Sequence, residues 1–183
     1  MKVVVAHHSL NIPGGAERLC LSVIEALRKK GHEVCLMTVE KTDWALVQRN
    51  FGTIVLPTKE SFAIKSHLSK GLGNISISST YFSIHMLQLL ANRSQKKYDL
   101  MINTFGDAIN SIADITYIHF PLRAALSLSQ IPAFTSKSTW RVIAPFYDSV
   151  TSFMDRITPG NLLTNSKFVQ GIIRRFLDRN SIK

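Results

Sequence analysis

Residues 2–39 constrain the fold more than any other part of this chain. Lys2-Val3-Val4-Val5-Ala6-His7 is a continuous, β-branched apolar run. Such a run marks a strand buried on both faces, as in a parallel sheet. A loop carrying the adjacent glycines Gly14 and Gly15 follows. Leu19, Cys20, Val23, Ala26 and Leu27 then recur at helical spacing, with Arg18, Glu25, Arg28 and Lys29 largely elsewhere. The helix is expected over 15–30, ended by Gly31, because glycine tolerates the left-handed residue that closes a helix. Val34-Cys35-Leu36-Met37-Thr38-Val39 is a second strand. Parallel neighbours need a crossover of a dozen or more residues, and the helix supplies it.

The alternation continues along the chain. A short helix is expected around 43–50. A strand is expected at Thr53-Ile54-Val55-Leu56, closed by Pro57. "KGLGNISISS" has turn chemistry, and "TYFSIHMLQLLANRSQ" reads as a helix. Tyr98-Asp99-Leu100-Met101-Ile102-Asn103 and "ADITYIHF", stopped by Pro121, are further strands. A long helix over 137–157 is expected, kinked near Pro145. "GNLLTNS" is a last strand, and a final helix runs from Lys167 to about Asp178, with Ser166 as its cap. Alternating strands and helices predict an α/β fold with an open, doubly wound, mostly parallel, Rossmann-like sheet. At 183 residues the chain suits one such domain.

Composition narrows the function classes. Hydrophobic residues make up 45%, enough for a sizeable core. No apolar run reaches the roughly 18–20 residues of a membrane span, and the amino terminus lacks a signal-peptide layout. Cys20 and Cys35 fall inside regular elements and read as reduced core residues of a cytoplasmic protein. The formal charge of +10 calls for an anionic partner or a soluble basic surface. No helix-turn-helix, zinc spacing or RNA-binding aromatic motif is present, which argues against nucleic acid.

The residues that could carry chemistry cluster at loops after strands. Gly14-Gly15 permits positive φ and close approach of a ligand, and the first amides of the next helix form an anion site. The same pair can simply make a tight turn. The spacing is neither the dinucleotide fingerprint nor a P-loop. Apart from Glu40, no acidic residue ends the second strand, so a dinucleotide oxidoreductase is disfavoured. Glu17 either faces the cleft or favours the first helical turn. His119 ends a strand, where ligands of open sheets bind; it can contact a sugar hydroxyl or phosphate, or be satisfied by backbone. His7 and His8 end the first strand. Asn103 follows another strand end and can offer polar groups to an acceptor. Asp107 is a candidate general base for an acceptor hydroxyl, or a helix cap. No metal site is expected.

Together the motifs resemble a known family. "NIPGGAERLCLSVIEALRKKGHEVCLMT", "TYIHFPL" and "LLTNSKFVQGIIRRF" resemble, in order, stretches of the amino-terminal domain of family 4 glycosyltransferases of the GT-B type. The second resembles the branch that includes the mannosyltransferases of lipid-linked oligosaccharide assembly. The resemblance implies the amino-terminal, acceptor-side half of a retaining glycosyltransferase. Such an enzyme moves a hexose, mannose foremost, from a nucleotide sugar to a glycan or lipid-linked acceptor, without a cofactor. It implies that Gly14, Gly15, Glu17 and Asn103 line the donor-phosphate and acceptor cleft and that His119 contacts the transferred sugar or its phosphate. It nominates no nucleophile. The carboxyl-terminal, donor-binding domain is expected to be missing from this chain, which is then inactive unless that domain or a partner subunit supplies the donor site. Apolar and cationic residues over 122–156, with "FAIKSHLSKGLG", suggest a peripheral place on the anionic cytosolic membrane face. The rival is a non-catalytic domain that docks a partner or a membrane surface.

Overall fold

The computed structural model describes residues 1–64, 77–106, 112–119 and 161–181. Its strands are β1 (Lys2–Ala6), β2 (Glu33–Glu40), β3 (Lys59–Ile64), β4 (Leu100–Asn103), β5 (Ile115–Ile118) and β6 (Asn161–Thr164). Its helices are α1 (Gly15–Lys29), α2 (Trp44–Phe51), α3 (Ile77–Ser94) and α4 (Lys167–Ser181). The strands form one six-stranded sheet in the order β3-β2-β1-β4-β5-β6, every neighbouring pair parallel. This is the open α/β, Rossmann-like architecture the sequence predicts. The order reverses between β1 and β4, the point at which open α/β sheets form a ligand-binding crevice at the carboxyl ends of their strands.

The apolar runs split by strand periodicity. Val4, Ala6, Cys35, Met37 and Met101 face one side of the sheet and pack with Leu87 and Ala91 of α3. Val5, Val34 and Leu36 face the other and pack with Cys20, Leu21 and Ile24 of α1 and Val47 of α2. Helices therefore cover both faces, which is why β1 and β2 are apolar throughout rather than alternating. Burying a Val, Leu or Ile side chain contributes about 1.5–3 kcal/mol, and Val4, Val5, Ile24, Val34 and Leu36 are all fully buried. A smaller cluster joins Ile118 of β5 to Val169 and Ile173 of α4.

Helix ends follow local chemistry. The Asp43 carboxylate caps α2 by accepting from the Leu46 amide at 3.1 Å. Ser166 caps α4 by accepting from the Val169 amide at 3.2 Å, as its position predicts. Gly31, at φ 79°, ends α1, with the Gly31 and His32 amides donating back to Arg28 and Leu27. His32 thus serves the turn, as expected.

One strand lies elsewhere than the sequence reading puts it. Residues 53–56 form no strand; β3 begins after Pro57 and pairs with Cys35–Glu40 of β2. Ile54 instead packs onto the α1–α2 side of the core. Its apolarity fills that layer from a loop, while the edge strand opens on polar Lys59-Glu60-Ser61. Other boundaries differ by a few residues: α3 starts at Ile77, β4 at Leu100, and α4 runs on to Ser181. The helix expected over 137–157, the stretch 122–156 and Asp107 lie outside the described residues. Among the described residues, no helix is long and apolar enough to cross a membrane.

Candidate functional site

Three strand ends and one helix start meet at the crevice. β1 delivers His7, β4 delivers Asn103 and Thr104, β5 delivers His119, and the first turn of α1 delivers Glu17. The loop after β1 is tied down on its far side. Ser9 Oγ donates to Glu40 Oε1 at 2.6 Å, Asn11 Nδ2 donates to the Lys41 carbonyl, and Asn11 Oδ1 accepts from the Asp43 amide at 2.7 Å. These bonds fix the path that brings Gly14 and α1 to the sheet edge. They also engage Glu40, which stands where a dinucleotide-binding sheet reads a ribose.

His7 is the centre of the cluster and fully buried. Thr104 Oγ1 donates to the Ala6 carbonyl at 3.1 Å, so it accepts from His7 Nδ1 at 3.0 Å. A hydroxyl has one proton to give, and Nδ1 must therefore carry a proton. His7 Nε2 points at Glu17 Oε1, 3.4 Å away. Phe105 meets the His7 ring edge-on at a centroid distance of 5.9 Å and stacks on His8 at 4.9 Å. Burial, and then the neighbouring His7, push the His8 pKa below its ordinary value.

Glu17 feels opposing influences. Burial raises its carboxyl pKa, but hydrogen bonds from His7 and from its own backbone amide, with the nearby His7 and His119, bring it below the ordinary value. It is a carboxylate at neutral pH. His119 is half-buried, and its Nε2 is enclosed without a hydrogen-bond partner. Burial and the proximity of His7 lower its pKa, against smaller upward pulls from Glu17 and a hydrogen bond to the Thr104 backbone. Its ring is thus neutral at neutral pH. Asn165 Nδ2 holds the His119 carbonyl at 3.2 Å, which joins the ends of β5 and β6.

The sequence-nominated residues divide. His119 and Glu17 are near enough for each to influence the other's pKa, and Gly14 adjoins Glu17. Gly15 opens α1 with open space about its Cα. The reason given for the glycines needs correction. Gly14 is extended, at φ −166°, and Gly15 is not among the positive-φ glycines. Left-handed backbone is not what the pair supplies. Asn103 turns inward: its Nδ2 donates to the Gly106 carbonyl at 2.7 Å, and its Oδ1 accepts from the Phe105 amide. It shapes its own loop, with Gly106 at φ 118°. Thr104 is the residue that sequence reasoning passed over. Its signal was a hydroxyl one position beyond a strand end, next to the better-looking Asn103.

Cys20 lies fully buried beside Thr104, its thiol pKa pushed up by burial to about 12, and it offers no nucleophile. Among the described residues, no group of three or more His, Cys, Asp or Glu side chains is arranged to hold a metal ion. A shallow groove of about 550 Å³ lies at the opposite edge of the sheet, among Lys2, Glu33, Lys96, Lys97 and Asp99, and contains none of these site residues. Chemically, the crevice offers a carboxylate acceptor, a neutral imidazole with a free ring nitrogen, and a rigid support beneath both. Compared with protein-family models and with curated proteins, the sequence matches none.

Proposed function

We propose that this chain is the amino-terminal, acceptor-side domain of a retaining glycosyltransferase of the GT-B type. It helps move a hexose, mannose foremost, from a nucleotide sugar to a glycan or lipid-linked acceptor. The observation that carries this reading is the polar cluster of His7, Glu17, Thr104 and His119 at the point where the strand order reverses. Open α/β sheets bind ligands there. The three motif stretches that resemble the family flank the same crevice: the glycine loop ahead of α1, His119 after β5, and Asn165-Ser166 before α4. In such an enzyme a second Rossmann-like domain would close over this edge and hold most of the nucleotide sugar. His119 would then contact the sugar being transferred or its phosphate.

Nuclear magnetic resonance titration of the 183-residue chain tests the reading. A short-chain lipid-diphosphate disaccharide serves as the acceptor. We expect it to shift the ring signals of His7 and His119 and the amide of Glu17, and His119→Ala to weaken the binding about tenfold, the value of one hydrogen bond to a buried polar group. Failure of such acceptors, built on several disaccharides, to move any of these signals overturns the reading.

A further inference from the structure

Cations collect at the end of the sheet that lies away from the crevice. All the strands are parallel, so each begins at that end, and α1 and α3 finish there. It holds Lys2 at the start of β1, Lys29 and Lys30 at the close of α1, Lys59 at the start of β3, and Lys96 and Lys97 between α3 and β4. A helix is negative at its closing turn, and cations there offset that charge. Two of these lysines also have carboxylate partners. Lys29 Nζ pairs with Glu25 Oε1 at 2.6 Å, and Lys59 Nζ with Glu33 Oε1 at 2.7 Å. Lys2, Lys30, Lys96 and Lys97 have no ion-pair partner among the described residues.

Three of these unpaired lysines line the groove of about 550 Å³ at that end. Lys2 comes from β1, Glu33 from β2, and Lys96, Lys97, Tyr98 and Asp99 from the turn into β4. Its two acids are already engaged. Glu33 Oε1 holds Lys59, and Asp99 Oδ2 accepts from the Lys2 backbone amide at 2.7 Å. Backbone bonds fix the floor. The Asp99 amide donates to the Lys2 carbonyl at 2.8 Å, and the Glu33 amide donates to the Met1 carbonyl at 3.0 Å. The groove therefore offers exposed ammonium groups on a rigid base, with its own carboxylates already bonded.

The lining spans three neighbouring strands, each about 4.8 Å from the next. One small anion does not reach cations spread so widely, whereas a chain that carries a carboxylate every residue or two does. Among the described lining residues there is no arginine, the side chain that grips phosphate with two parallel bonds. Nor is there a free aromatic face for a nucleobase, because Tyr98 packs against the core cluster beneath α3. Lysine is a point charge that suits any carboxylate. The sequence itself holds no acidic run to fill the groove: no two of its 12 Asp and Glu residues are adjacent. We propose that this groove is a docking site for an acidic segment of a partner protein, which lays its carboxylates across Lys2, Lys96 and Lys97. The site lies at the far end of the sheet from the crevice, so both can be filled at once. It does not depend on what the crevice binds.

The test titrates the whole chain with hexaglutamate and follows backbone amides by nuclear magnetic resonance. The amides of Lys2, Glu33 and residues 96–99 should shift, and those of His7 and Glu17 should not. Affinity should fall steeply between about 0.01 M and about 1 M salt, as the screening length shrinks from about 30 Å to about 3 Å. Reversing two charges with Lys96→Glu and Lys97→Glu should weaken binding about tenfold, the worth of two exposed lysine–carboxylate contacts together. Lys2→Gln, which removes one charge and adds none, carries the test should the double variant fail to fold. Lys41→Glu with Lys167→Glu makes the same change of charge at the other end of the sheet and should leave binding at wild-type strength. An equal loss in that control overturns the proposal, because net charge alone then explains the binding. So does hexaglutamate that leaves the groove amides unmoved. An oligothymidylate of the same length that binds the groove more tightly overturns it in favour of nucleic acid. Inorganic phosphate that matches hexaglutamate at equal concentration overturns it in favour of a general anion site.

Discussion

Replacing Thr104 with valine probes the buried chain of hydrogen bonds beneath the site. The shapes are nearly the same, so no cavity term enters. The hydroxyl is saturated: it donates to the Ala6 carbonyl at 3.1 Å and accepts from His7 Nδ1 at 3.0 Å, with the Cys20 thiol alongside. Ala6 loses little, because its carbonyl keeps the residue-104 backbone amide at 2.9 Å. The cost falls on His7. A buried donor left without a partner costs about 1–3 kcal/mol. The ring can respond by giving up the Nδ1 proton while Nε2–H keeps its bond to Glu17 Oε1, 3.4 Å away. The bare Nδ1 then faces a methyl group, an unsatisfied acceptor in place of an unsatisfied donor. The retained bond to a carboxylate limits the loss. We therefore expect Thr104→Val to cost about 1–2 kcal/mol, in the lower half of that range. The corresponding fall in Tm is about 2–8 °C for a chain of this size. Urea unfolding gives the energy, and imidazole nitrogen chemical shifts show where the ring proton sits. Thr104→Ser, which keeps the hydroxyl, should retain the Nδ1 proton. A Thr104→Val protein as stable as wild type, with His7 still protonated at Nδ1, would refute the reasoning.

Other perturbations have plainer outcomes. Leu36 is fully buried in β2 against α1 and α2, so Leu36→Ala should cost about 2–5 kcal/mol in urea unfolding. Ser166→Ala removes the α4 cap and should cost about 0.5–2 kcal/mol, seen first as faster amide exchange in the first turn of that helix. Acid should destabilise the fold in two steps. The folded-state pKa values of His8 and His119 are depressed below 6.5, so their contribution is complete above that pH and is lost as pH falls beneath it. Glu17, depressed below 4.5, adds a second loss at lower pH. Urea midpoints measured from pH 8 to pH 4 should decline below about 6.5, and a flat profile would contradict the burial of the two histidines.

Most of the fold is legible in the sequence because burial on both faces leaves little ambiguity. Val3–Ala6 and Val34–Val39 are apolar at every position or nearly so, and only a parallel sheet covered on two sides asks for that. Gly31 and Ser166 mark helix ends by chemistry that acts within a few residues. The misplaced strand shows where the signal fails. Among the described residues Lys59–Ile64 is the sheet's edge, paired only with β2, and an edge strand tolerates polar residues that a central one excludes. The apolar Thr53–Leu56 run looks more strand-like yet serves as a loop that plugs the core with Ile54.

The site is legible only in part, for a different reason. A strand-end histidine can be placed from local sequence, since topology alone puts residues after β1, β4 and β5 at one crevice. Which groups then bond one another depends on contacts across long stretches of chain. Thr104 meets His7 at a separation of 97 residues. No local pattern announces that pair. The glycine loop shows the limit most clearly. Two glycines before a helix suggest a backbone freed for a ligand, because that is glycine's commonest use near phosphates. Here the backbone at Gly14 is extended, and any residue could adopt it. What glycine provides is the missing Cβ, and the group that uses the space is Glu17 of the same chain. The glycines mark where α1 begins; which side chain fills the space beside them is decided by the three-dimensional path of the first helical turn, not by any local sequence pattern.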